Sequence, residues 1–281
     1  MPIRTPALDL KQIAKQLPDP LRRVLWSLHH RMFRWGLHAT AALLNFREQT
    51  FPSAANQDHD LRLPVPPPLL RYRVGEDMSV SRFLKVGQIS SENLTRLFKQ
   101  AGSPLSTSRK VLDFGCGCGR TLRWVMTAYP DVAFTGSDVD REAIEWNSAN
   151  LAGARFTTNG EWPRLAFSDS EFDGVYAISV FTHLDREHQI AWSEELARII
   201  SPGGVLVLTV HGLALAGATA TSPVESVLCR RTRKLQGIHP DWYQTAYNAE
   251  SFTVEILRRY FSTVKYAKEG FGYQDAVLCR K

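Results

Sequence analysis

Ten residues, VLDFGCGCGR (111–120), hold Asp113 and then Gly115, Gly117 and Gly119 at every second position. Glycine lets a loop turn sharply and brings backbone N–H groups against a ligand. A second acid, Asp138, follows about twenty residues on, the spacing at which a strand-end carboxylate accepts from the two hydroxyls of a ribose. Loop and acid together point to an adenosine ligand. A dinucleotide and another adenosine compound would both use them. The dinucleotide fingerprint GxGxxG has its last glycine one residue later, where Arg120 stands here. Cys116 and Cys118 form C-x-C within the loop, and no second ligand pair accompanies them, so no metal is expected.

These residues need strands and helices to hold them. KVLDF (110–114) reads as a strand running into the loop, and RTLRWVMTAY (120–129) as the helix leaving it. VAFTGSD (132–138) is a strand, REAIEWNSANL (141–151) a helix and ARFT (154–157) a strand. FDGVYAIS (172–179) is a strand, REHQIAWSEELARII (186–200) a helix and VLVLTV (205–210) a strand. Alternating strands and helices imply βαβ units and a parallel sheet. Residues 251–260 look helical, and FSTVKYA (261–267) and YQDAVLCR (273–280) form a closing pair. The turn between them is too short for a parallel return, so the pair is antiparallel.

Upstream the pattern differs. Residues 1–50 are expected to be an N-terminal helical segment, acting as a lid or packing element. Residues 51–77, with Pro52, Pro64, Pro66, Pro67 and Pro68, read as a linker. The domain of alternating strands and helices is then 78–281, opening with a helical region at 78–101. Within 21–44, Leu21, Val24, Leu25, Leu28, Met32 and Trp35 recur at helical steps. The net charge is +6, and most of the excess lies in the first fifty residues. A nucleic-acid footprint would have to lie on that segment, and the near-neutral remainder disfavours one. A membrane surface is another place for a basic amphipathic helix. No stretch reaches a membrane span and no signal peptide is evident, so a cytoplasmic chain is expected.

VLDFGCGCGR resembles motif I of the class I S-adenosylmethionine-dependent methyltransferases. FTGSDVD (134–140) is similar to their second motif, and FDGVYAISVFTHL (172–184) and LARIISPGGVLVLTVHG (196–212) to their fourth- and fifth-strand motifs. The resemblance covers about 105–281. It implies a doubly wound, mostly parallel seven-stranded α/β sheet in the order 3-2-1-4-5-7-6, with strand 7 antiparallel. The implied cofactor is S-adenosyl-L-methionine. Gly115 and Gly117 would lie against its methionine part, Asp113 would hold its ammonium and Asp138 its ribose. Val139 would pack on adenine, with Asn159 and Gly160 at the adenine rim. Ser179 and Val180 would flank the sulfonium.

VFTHL (180–184) leaves the fourth strand at its carboxyl end, where ligands of open α/β sheets bind. His183 is therefore the candidate general base. The segment 235–248, LQGIHPDWYQTAYN, interrupts the alternation before the last strands and brings Trp242, Tyr243 and Tyr247, with His239 nearby. Rings beside a sulfonium gain cation–π attraction, so Tyr243 and Tyr247 join His183 as candidates. The expected activity is methyl transfer to a small molecule. Two alternatives are cyclisation of S-adenosylmethionine itself, giving azetidine-2-carboxylate and methylthioadenosine, and a nucleic-acid-binding protein using the N-terminal helix.

Overall fold

A computed structural model describes residues 17–50, 63–217, 227–231 and 243–281. Its centre is the strand that feeds the glycine loop, β1 (Lys110–Phe114). On one side β1 pairs in parallel with β2 (Ala133–Asp138), which pairs with β3 (Ala154–Thr158). On the other side it pairs in parallel with β4 (Phe172–Ala177), and β4 with β5 (Ile200–Gly212). The closing strands are β8 (Thr263–Phe271) and β9 (Gln274–Arg280). β9 runs antiparallel between β5 and β8. The main sheet thus reads β3-β2-β1-β4-β5-β9-β8, the seven-strand order expected, with the last strand in sequence antiparallel.

Two short strands were not foreseen. β6 (Val227–Arg230) pairs antiparallel with β7 (Thr245–Asn248), and β7 extends the far end of β5 in parallel at His211 and Gly212. They use residues that sequence pattern left between the fifth strand and the closing pair.

Helices cover both faces, so the central strands are buried on both sides and read as nearly continuous apolar runs. Side-chain alternation sorts them. Leu112, Phe114, Val175 and Leu206 pack against Trp192 and Leu196 of α6 (Arg186–Ile199). Val111, Tyr176, Val205 and Val207 pack toward Leu94, Leu97 and Phe98 of α3 (Val80–Gln100). The Ser79 hydroxyl caps α3 by accepting from the Arg82 N–H. α4 (Leu122–Ala128), α5 (Arg141–Asn150) and α7 (Glu250–Arg258) complete the layers. Asp140 and Asp185 cap α5 and α6 by accepting from the Ala143 and His188 N–H groups.

The linker reading of 51–77 needs correction over its last part. Pro68–Gly75 is a helix, α2, with proline in its first turn, where a missing N–H costs nothing. Leu70 and Arg71 of α2 are buried. Before it, α1 (Asp19–Thr50) is one continuous helix of 32 residues that runs through Gly36. Its end is fastened to α2. Arg71, fully buried, donates to both Glu48 carboxylate oxygens at 3.1 and 2.6 Å and to the carbonyls of Pro66 and Met78.

A cofactor cavity at the carboxyl ends of the strands

A cavity of about 510 Å³ opens where β1, β2 and β4 end. Its floor is the glycine loop. Gly115, Gly117 and Gly119 all have positive φ, of 79°, 50° and 73°. A side chain would also collide with Val180 at Gly115 and with Val74 at Gly117. The loop is tied to β2, because the Gly115 and Cys116 N–H groups both donate to the Ser137 carbonyl. The two cysteines are buried. Their thiols reach the carbonyls of Gly117 and Leu70, and burial pushes Cys118 up to about 12. They serve packing.

Asp138 closes one end. Its carboxylate accepts from the Gly117 N–H at 2.6 Å and from the Asp140 N–H at 2.8 Å. The Val139 N–H also helps to hold the charge. A carboxylate has about four acceptor positions, so acceptor capacity remains at the cavity wall. Burial raises its pKa to about 6, against the pull of those backbone donors. Asp113, at the opposite side of the loop, is raised to about 8, first by burial and then by the charge of Asp138. The Tyr176 hydroxyl pulls the other way without reaching a well-formed hydrogen bond. Asp113 is therefore poised to ionise when a cation arrives.

All nine residues expected around the cofactor line this cavity: Asp113, Gly115, Gly117, Asp138, Val139, Asn159, Gly160, Ser179 and Val180. Two of them are held for structural reasons as well. The Asn159 side chain accepts from the Ser137 hydroxyl and donates to the Gly160 carbonyl. Ser179 adopts φ of 59°, a strained conformation for a non-glycine residue, at the exit of β4. Its N–H donates to the Thr209 hydroxyl, and its own hydroxyl pairs with the Gln274 amide. Thr209 and Gln274 carry no sequence signal, because they act across strands.

His183 and Tyr243 also line the cavity. The Gln244 carbonyl, 3.0 Å from His183 Nδ1, can only accept, so Nδ1 carries the proton and Nε2 is the basic nitrogen. The Tyr243 hydroxyl approaches Nε2 at 2.8 Å, with the two rings nearly parallel at 21°. Burial holds the Tyr243 phenol well above its ordinary pKa. Tyr247 is a correction. It sits on β7, beside His211 and under Arg230, and does not line the cavity. Trp242 and His239 lie outside the described residues.

Three walls were missed. Arg73 and Val74 of α2 cover the glycine loop, and Arg73 pairs with Asp140 and Glu142 at 3.0 and 2.8 Å. These residues lay in the presumed linker. No residue of 19–50 lines the cavity, so the covering element among the described residues is α2 and not the long helix. Arg120 is the third. Its guanidinium lies against Gly75, and burial lowers its pKa. Among the described residues no carboxylate pairs with it, so the wall presents a half-buried positive charge.

Residues 111–204 match the family model of a methyltransferase domain. An O-methyltransferase of Aspergillus nomiae is 34% identical over 128 residues, covering 43% of this chain and 54% of that protein. A fatty-acid O-methyltransferase of Mycolicibacterium smegmatis is 29% identical over 103 residues, covering 36% of each. The chain spans about half the length of the first of these relatives. An S-adenosylmethionine-dependent methyltransferase structure from Mesorhizobium loti superposes with a TM-score of 0.52 at 14% identity, over 65% of this chain and 95% of that one. Residues 111–204 are thus similar to a methyltransferase domain, and the sheet has the fold of the Mesorhizobium loti structure.

Proposed function

We propose that the protein transfers a methyl group from S-adenosylmethionine to a small-molecule acceptor. The observation that carries this reading is the pairing, across one cavity, of Asp138 with spare acceptor capacity and Asp113 with a pKa near 8. These suit a ligand that carries both a diol and an ammonium; a dinucleotide has the diol but no ammonium. When bound, S-adenosylmethionine supplies a methyl group made electrophilic by its sulfonium. Asp138 takes the ribose hydroxyls. Asp113 ionises against the ammonium, with the low local dielectric strengthening the attraction. Val139 packs on the adenine, with Asn159 and Gly160 at its rim. Arg120 holds the methionine carboxylate, because it is the less exposed of the wall's arginines that no carboxylate among the described residues pairs with. Ser179 and Val180 set the sulfonium between β1 and β4.

The acceptor end belongs to His183 and Tyr243. His183 keeps the proton on Nδ1, and its Nε2 accepts from the Tyr243 hydroxyl. The acceptor's proton passes to the Tyr243 oxygen as Tyr243 gives its own proton to Nε2. Most of the rate enhancement comes from holding the acceptor in line with the methyl group. The O-methyltransferase relatives support an oxygen acceptor, and the fatty-acid enzyme among them supports a lipophilic one.

Mass spectrometry of cell extract incubated with the protein and S-adenosylmethionine labelled in its methyl group tests this. A labelled small molecule together with S-adenosylhomocysteine is expected. Methylthioadenosine formed from S-adenosylmethionine alone would instead show the cyclising reaction.

A further inference from the structure

The long helix α1 presents an apolar stripe outward. Leu21, Val24, Leu28, Met32, Trp35, Leu43 and Phe46 are all exposed, with Met32 and Trp35 at 74% and 77%. Their order repeats every eleven residues: Leu21, Met32 and Leu43 correspond, as do Val24, Trp35 and Phe46, and Leu28 and Ala39. Eleven residues make just over three whole turns. The stripe therefore stays in line along the whole helix, about 48 Å at 1.5 Å per residue. A stripe of this kind has to be covered.

Charge chooses between the coverings. The described helix carries Arg22, Arg23, Arg31, Arg34 and Arg47 against Asp19 and Glu48 alone. Both acids are already taken in the same chain, Asp19 by Arg22 and Glu48 by Arg71. On a helical wheel Arg31 borders the stripe on one side, and Arg22 and Arg47 on the other. A second copy of α1 would bring arginine against arginine along both borders. A surface of anionic lipid headgroups would meet them with opposite charge, while the stripe and Trp35 sink to the level of the first acyl carbons. No helix among the described residues is long and apolar enough to cross a membrane.

We propose that α1 is a membrane-surface helix that lies flat on an anionic bilayer. The Arg71–Glu48 joint then sets the position of the domain. It ties the end of α1 to α2, and α2 walls the cavity through Arg73 and Val74. The bilayer thus lies one helix away from the site.

Flotation of the full chain with vesicles tests the proposal. The vesicles are phosphatidylcholine alone, or the same with phosphatidylglycerol. Binding to the anionic vesicles is expected, weakened by high salt, and at least about tenfold weaker on phosphatidylcholine alone. The double variant Met32→Asp, Trp35→Asp should lose flotation and keep its affinity for S-adenosylhomocysteine, which reports an intact domain. Absence of flotation, or flotation unchanged by the variant, would overturn the proposal. So would a stable dimer that the same variant dissociates, since the stripe would then be covered by a second copy. Failure of S-adenosylhomocysteine to bind the wild-type protein would count against the proposed function and leave the flotation result standing by itself.

Discussion

Asp138 uses two of its acceptor positions on the backbone N–H groups of Gly117 and Asp140. It braces the loop and, in the function proposed, receives the ribose. Asp138→Ala should weaken S-adenosylhomocysteine binding by about 1.5–3 kcal/mol, the range for hydrogen bonds to a charged group. Calorimetry on the folded variant measures it, and an unchanged affinity would place the ribose elsewhere. Arg120→Gln has a more selective signature. It should weaken S-adenosylhomocysteine about tenfold, a loss of roughly 1.4 kcal/mol, and leave methylthioadenosine, which has no carboxylate, unaffected. Equal losses for both ligands would mean that Arg120 only supports the fold. The acids also predict a pH dependence. Asp113 and Asp138 titrate near 8 and 6 in the fold, above the ordinary carboxylate value of 3.8. The folded chain therefore keeps protons that the unfolded chain has lost, and these two groups make stability fall as pH rises from about 4 to 8. An ammonium beside Asp113 favours its ionised form. The thermal shift caused by S-adenosylhomocysteine should consequently grow between pH 6 and 8, and a shift that shrinks over that window would refute the assignment. The acids and glycines were legible in the sequence because the motif is local. Arg120 stood within the same ten residues, but that no carboxylate among the described residues pairs with it is a fact about space and not about spacing.

At the scale of elements, α2 decides how the cavity is covered. It was hidden because its prolines resemble a linker and its apolar residues are few. Only the fold reveals that Arg71 is buried and that Arg73 reaches α5. Arg71→Ala removes one guanidinium from two carboxylate oxygens and two carbonyls. Glu48 is partly exposed, so the main loss is the donor to the two carbonyls and the pair, about 1–3 kcal/mol. Urea unfolding should show a midpoint lowered accordingly, and a midpoint within error of wild type would mean that α1 and α2 are not joined as described. The strands and helices from β1 to α6 were legible because each carries its own period and its own cap. β6 and β7 were not, since each has only four residues and owes its pairing to the end of β5. Tyr247 went astray for the same reason: its neighbour in sequence, Tyr243, faces the cavity, while β7 carries Tyr247 against His211.

At the scale of the molecule, a near-neutral sheet domain is joined through one buried arginine to a basic helix with an outward apolar stripe. The sheet domain holds the chemistry, and its strand order places Asp113, Asp138 and Ser179 at one edge by topology alone. The account stands on that edge binding S-adenosyl compounds. Titration calorimetry of the wild-type chain with S-adenosylhomocysteine, and separately with NAD, tests it most directly. Saturable binding of one S-adenosylhomocysteine per chain is expected, with no heat from NAD. Tighter binding of NAD, or no binding of S-adenosylhomocysteine, would contradict it.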